Sequence, residues 1–150
     1  MGTYELKLIN NLLDVDLAHL AAHSKEEGFR FVERLVNDYR NGNNTFNRAG
    51  EGIFGVFNEN GILVAIGGLN KDPFSTGECI GRMRRFYVSK EFRRSGVGNM
   101  LVQRIIDEAR NHYDTLVLHT DTEQGDAFYR AIGFSKGELY SRSSHYLSLG

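Results

Sequence analysis

Two periodicities alternate along the chain, and the switches between them outline its elements. Tyr4-Glu5-Leu6-Lys7-Leu8 alternates polar and apolar residues at period two, as a half-buried strand does. Val15, Leu17, Ala18, Leu20, Ala21 and Ala22 then line a helical face, with Asp14 suited to cap it and Gly28 placed to stop it. Phe29, Val32, Leu35, Val36 and Tyr39 recur at three and four, which predicts a second helix before the Asn-Gly-Asn-Asn turn at 41–44. Apolar runs at 53–57 and 62–66 flank Asn58-Glu59-Asn60-Gly61, a strong hairpin signal.

After a loop holding the only proline, Pro73, residues 80–89 read as a long strand ending in a glycine-bearing turn. Val97, Leu101, Ile105 and Ala109 follow at i,i+4 and predict a helix of about four turns. Leu116-Val117-Leu118 is a short buried strand. Phe128, Ala131 and Ile132 mark another helix closed by Gly133 as a left-handed cap, and weak alternation over 140–149 adds a final strand or two. The predicted order is β-α-α-β-β-β-α-β-α-β-β. The strand, helix, strand run over 80–119 implies a right-handed crossover joining two parallel strands. The fold class is therefore α/β with a mixed sheet, in a single domain spanning 1–150.

Composition narrows the setting. A chain of 150 residues, 41% hydrophobic and 25% charged, can bury a full core, which excludes a disordered chain. Its single cysteine excludes a disulfide scaffold and points to a reducing cytoplasm. Neither Met1–Asn11 nor any later stretch has the apolar run of a signal peptide or membrane span, so neither is expected. The net charge of −1 conceals an uneven distribution: Arg82, Arg84, Arg85, Lys90, Arg93 and Arg94 against Glu91 make +5 over 82–94, leaving −6 elsewhere.

That basic window contains Arg93-Arg94-Ser95-Gly96-Val97-Gly98, between the strand ending near Val88 and the helix beginning near Gly98. Backbone N–H groups opening a helix have no partner within it, and the dipole there favours an anion. Two glycines two apart let such groups approach a phosphate closely, although a plain capped loop would read the same way. The Gly-Lys-Ser/Thr of a P-loop is absent, and Leu101 stands where a dinucleotide fingerprint needs its third glycine. Phe86, Tyr87 and Phe92 interleave with the basic residues, yet a pI near 6.5 disfavours nucleic acid as a partner.

The run from Phe86 to Gly98 resembles the acyl-CoA-binding motif of the GNAT superfamily of N-acetyltransferases, Arg/Gln-x-x-Gly-x-Gly/Ala after a strand. Ala127-Phe128-Tyr129-Arg130-Ala131-Ile132-Gly133-Phe134 is similar to the family's second motif, and the element order matches over essentially the whole chain. The resemblance implies acetyl-CoA as co-substrate. It implies that the backbone of Phe86, Tyr87 and Val88 pairs with the pantetheine arm and that the loop carrying Arg93, Arg94, Ser95, Gly96, Val97, Gly98 and Asn99 holds the pyrophosphate. Tyr129 would be the general acid; a phenol of pKa about 10 stays protonated at neutral pH beside a thiol leaving group of about 8.5. Thr122 stands where the family often has a cofactor-contacting Asn, and Gly125 where it usually has Ala, so a modified contact is expected at that helix start.

An acceptor amine of pKa about 10.4 costs roughly 4 to 5 kcal/mol to deprotonate at pH 7, so a base is useful. The glutamate that some branches carry is replaced by Val117; His119, two residues on and on the same strand face, is the first candidate, with Glu78 and Asp72 behind it. Acceptor recognition is expected from the first two helices, the loop at 70–77 and the C-terminal strands. The first 61 residues hold 9 acids against 6 basic residues, which suits a cationic amine and equally a solvated helix face. His19 and His23 lack a third ligand, so no metal is expected, and nothing beside Cys79 would activate it for a covalent route. The implied activity is direct acetyl transfer to a primary amine of a small molecule or peptide, with a non-catalytic acyl-CoA sensor as the alternative. A homodimer is left open.

Overall fold

The computed structural model describes residues 3–76 and 79–150. The strands β1 (Glu5–Leu8), β2 (Gly52–Phe57), β3 (Leu63–Lys71), β4 (Ile80–Val88), β5 (Thr115–Leu118), β6 (Ser135–Lys136) and β7 (His145–Ser148) form one sheet in the order β1-β2-β3-β4-β5-β7-β6. The helices α1 (Ala18–Glu26), α2 (Phe31–Asn41), α3 (Val97–Arg110) and α4 (Glu123–Ile132) complete it. Only β4 and β5 run parallel, with α3 as their crossover; the other neighbours are antiparallel. This is the mixed α/β arrangement that the periodicities predict.

Each face of the sheet closes its own core. On one side Val97, Leu101, Ile105 and Ala109 of α3 are fully buried with Met83, Leu116 and Leu118, and Tyr129 and Phe134 extend that core. On the other, Leu20 of α1 and Val32 and Leu35 of α2 pack on Ile53, Leu63, Ile66 and Tyr87. The i,i+4 spacing of α3 thus marks a continuous buried stripe.

Local corrections concern helix ends. Asp14 lies in a short 3-10 turn (Leu12–Asp14) and does not cap α1; the Asp16 carboxylate accepts the Ala18 N–H at 3.1 Å instead. Gly133 ends α4 with φ 129°, beyond the left-handed helical well, while its N–H donates to the Tyr129 and Arg130 carbonyls. Strand β4 carries an irregularity no pattern announces. Gly68 pairs with Arg84 but Ile66 with Tyr87, so one extra residue bulges out, and Arg85 sits there at φ 56°. The bulge resets the alternation: Met83 and Phe86, three apart, both reach the α3 side, while Arg84 and Tyr87 both lie on the α1/α2 side.

Candidate active site

The site begins where two parallel strands part. β4 pairs with β5 only through Ile80, Gly81 and Arg82, opposite Thr115, Leu116 and Val117. β5 then stays with β7: the Ser144 N–H donates to the Leu118 carbonyl at 2.9 Å, and the Thr120 N–H to Ser144 Oγ at 2.9 Å. β4 stays with β3 up to Val88. A gap opens between them, and the β4 edge carrying Phe86, Tyr87 and Val88 has no strand partner on that side among the described residues.

Beyond Val88 the chain makes a 3-10 turn at Lys90–Phe92 and enters α3 at Gly96. Gly96 takes φ 87°, which glycine adopts freely and which turns the chain into the helix. Among the described residues the backbone N–H groups from Arg94 through Asn99 have no protein acceptor; the first helical bond runs from Met100 to the Gly96 carbonyl at 3.0 Å. An added Cβ on Gly96 would meet nothing within 4 Å, so the loop is open there. Gly98 serves a different purpose. A Cβ on it would stand 3.2 Å from the Phe128 ring and 3.4 Å from Val88, so its bareness lets α3 seat on α4 and β4.

The +5 window does not act as one patch. Arg82 is buried; its Nε donates to Asp72 at 2.8 Å and its Nη atoms to the carbonyls of Arg142 and Ser141 at 2.9 and 2.8 Å. Arg85 pairs with Asp38 of α2 at 3.4 Å. Arg93 forms a two-pronged pair with Glu27 at 2.7 Å on each prong and also donates to the Val88 carbonyl at 3.1 Å. Glu27 accepts the Tyr87 hydroxyl as well, and the Arg93 bond, outweighing desolvation, holds its carboxyl below the usual range. Lys90 and Arg94 stay exposed. Three of the five arginines in the window are thus paired within the protein, and of the other two Arg94 is the exposed one beside the open N–H groups.

On the other wall of the gap stands Tyr129 of α4. Its ring is buried among Phe86, Phe128, Phe134 and His145, with centroids 5.1 to 6.1 Å away. Burial pushes its phenol above the usual value, and its hydroxyl makes no hydrogen bond among the described residues. No fully enclosed side-chain N or O lacks a partner there, so that hydroxyl reaches open space. His119, just past β5, is exposed and lies on the sheet face of Val117, opposite Arg82. Asp72 is not free to act as a base, being fastened to Arg82 and to the Ser75 hydroxyl; Glu78 lies outside the described residues.

Thr122 caps α4, its hydroxyl accepting the Gly125 N–H at 3.0 Å. Gly125 is required beside it, since a Cβ there would stand 2.4 Å from Thr120 Oγ1. Sequence reasoning missed the buried His145, whose Nε2 donates to Asp126 at 2.8 Å. The Asp126 carboxylate can only accept, so the proton of the neutral imidazole sits on Nε2 and Nδ1 accepts the Ser144 hydroxyl at 2.7 Å, while Ser144 Oγ accepts the Thr120 N–H. This chain ties β7, the β5–α4 loop and the first turns of α4 together around Tyr129. The one advance signal was Asp126 three residues before Tyr129. Cys79 sits at the far end of β4, roughly 30 Å from Val88 at strand rise. His19 donates from Nε2 to the Leu63 carbonyl at 2.7 Å, and no three His, Cys, Asp or Glu side chains among the described residues are grouped to hold a metal. No described helix is long and apolar enough to cross a membrane.

The result is a mixed sheet splayed between two parallel strands, with a helix N-terminus at the mouth. The profile of the Acetyltransferase (GNAT) family matches residues 16–134, and the chain belongs to that family. It is similar to a provisionally assigned acetyltransferase from Exiguobacterium sp. 255-15, at 32% identity over 97% of this chain and 93% of that one, with a TM-score of 0.87. Two more distant structures share the fold. A GNAT family N-acetyltransferase from Escherichia coli in complex with CoA is 14% identical over 99% of this chain and 82% of that one, TM-score 0.68. Glucosamine-6-phosphate N-acetyltransferase from Arabidopsis thaliana is 17% identical over 91% and 95%, TM-score 0.61. No curated protein matches the chain.

Proposed function

We propose that residues 1–150 form one catalytic domain that moves an acetyl group from acetyl-CoA to a primary amine of a small molecule or peptide by direct attack, in the cytoplasm. The gap between β4 and β5 carries this reading, with its run of unpartnered N–H groups at one end and an unpartnered, buried phenol on its wall. The residues present fit the co-substrate. The N–H groups from Arg94 to Asn99 suit a pyrophosphate, and the free β4 edge at Phe86 to Val88 suits an extended amide arm. Acetyl-CoA, when bound, supplies the thioester.

The chain's own groups do the rest. The free β4 edge near Val88 offers hydrogen bonds to a carbonyl oxygen gaining charge. Tyr129 holds a proton at Oη, and burial keeps it there at neutral pH, ready for the departing sulfur. His119, exposed on the acceptor face, takes the proton from the attacking amine. Thr122 acts on the cofactor indirectly, by fixing the first turn of α4.

Thiol release from acetyl-CoA with polyamines, aminoglycosides, amino acids and peptide N-termini tests the reading. Turnover is expected with at least one class, and Tyr129→Phe should lower kcat about 100-fold with CoA affinity unchanged. A melting temperature unmoved by millimolar acetyl-CoA would sink the proposal. Tight CoA binding without thiol release from any amine would make the domain a sensor instead.

A further inference from the structure

The α1/α2 side of the sheet holds an open cleft of about 410 Å³ between the α2–β2 connection, the end of β3 and β4. Its walls are rich in side-chain amides, and Asn44 and Asn70 are locked to each other at 2.9 and 3.1 Å. The charged side chains facing it are Arg48, Glu51, Lys71, Asp72 and Arg84. Glu51 accepts the Lys71 and Arg48 N–H groups at 3.1 and 3.4 Å, and Asp72 is committed to the buried Arg82. Asp38, the other acid nearby, is paired with Arg85.

Arg84 stands apart from its neighbours. It is half-buried on β4 and has neither a carboxylate partner nor a hydrogen bond among the described residues. Both adjacent arginines have taken the local acids, and a desolvated guanidinium is costly without an anion. Its position matters too. Val117 lies opposite Arg82, so Arg84 and His119, each two residues further on, flank the mouth of the gap on one sheet face. The excess acids of the first 61 residues do not counter it: Glu27 is bound to Arg93 and Asp38 to Arg85.

We infer that Arg84 is an anion subsite of the acceptor pocket, so that the amine acetylated by this chain also carries a carboxylate or phosphate group. The amine half rests on the acetyl-transfer reading; the anion half does not.

Two measurements separate them. In protein carrying ¹⁵N-arginine, the Arg84 Nε–H resonance, identified by its loss in Arg84→Lys, is followed while acetate, inorganic phosphate or chloride is added at fixed ionic strength. A saturable shift with acetate or with phosphate is expected, and which of them gives it names the group. A response no larger than that of chloride would overturn the subsite. Thiol release is then compared for matched acceptors: amino acids against their amides, and a phosphorylated amino sugar against its parent. The anionic member should be favoured about tenfold or more in kcat/KM, and Arg84→Gln should reduce that preference to within about twofold. Equal use of both members would overturn the subsite and leave acetyl transfer standing. A saturable anion shift without turnover of any amine would do the reverse.

Discussion

Replacing Gly125 by alanine is expected to destabilise the protein although it sits in a helix. Alanine ordinarily gains about 1 kcal/mol over glycine at a helical position. Here the new carbon would stand 2.4 Å from Thr120 Oγ1 and 2.9 Å from Thr122 Oγ1. Neither oxygen belongs to a flexible chain. Thr122 Oγ1 is held by its cap on the Gly125 N–H at 3.0 Å, and Thr120, whose backbone is tied to Ser144 at 2.9 Å, keeps its Oγ1 3.4 Å from that of Thr122. Displacing the cap costs about 1 kcal/mol, and overpacking against a fixed β-branched side chain costs about 1–3 kcal/mol. Set against the helical gain, the net loss is roughly 1–3 kcal/mol, or about 2–12 °C in melting temperature for a chain this long. Urea unfolding, followed by far-ultraviolet circular dichroism, should be run on the wild type, Gly125→Ala, Thr120→Ala and the double variant. With Thr120 truncated, Gly125→Ala should become neutral or stabilising, giving a coupling of about 1–3 kcal/mol. If Gly125→Ala alone matches or exceeds wild-type stability, the threonines are not fixed and the account of this helix start is wrong.

Three further outcomes are expected. His119→Ala should alter the acid limb of the pH–rate profile of kcat/KM, the range in which a histidine base loses its proton; an unchanged profile would dismiss it as the base. The His145 hydrogen bond, working against desolvation and supported by Arg130, holds the Asp126 carboxyl below its ordinary range. A lowered folded-state value means that the stabilisation is complete above about pH 4 and fades as pH falls through the folded value. The urea midpoint gap between wild type and Asp126→Asn should therefore shrink in acid, and a gap constant from pH 7 to pH 3 would contradict this. Arg93→Ala should lower the melting temperature by breaking its bonds to Glu27 and Val88, whereas Arg94→Ala should leave stability alone and weaken CoA binding up to about fivefold. Melting curves paired with CoA titrations decide this, and the opposite assignment would return Arg93 to the cofactor.

Much of the architecture was legible because its signals are local. The hairpin of β2 and β3, the stripe of α3 and the glycine turn into that helix each depend on residues within a few positions of one another. The partners of the arginines were not legible for the opposite reason. Arg93 meets Glu27 across 66 positions and Arg85 meets Asp38 across 47, so only the tertiary fold decides which charges remain unmatched. His145 escaped notice likewise, since its partner Asp126 lies 19 residues earlier on another element. The helix start at Ala18 was misplaced because Asp14 is taken into a 3-10 turn, and α1 opens beyond it with Leu17 at its N-cap and no side-chain cap there. An arginine at the bulge of β4 has no sequence signature, because the extra residue shows only in the register against β3.

That bulge has a consequence for how the family member can change. β4 is effectively two rulers laid end to end, each with its own zero mark. Residues up to Arg84 are indexed to the amide-lined cleft beside α2, and residues from Phe86 onward to the gap and the loop beyond it. A substitution on the first ruler can retune what the cleft admits while the second keeps its alignment. An insertion or deletion on either side of Arg85 would cancel the offset and turn every later side chain to the wrong face. Point changes are therefore the open route to a reshaped cleft along this strand, and length changes are a closed one.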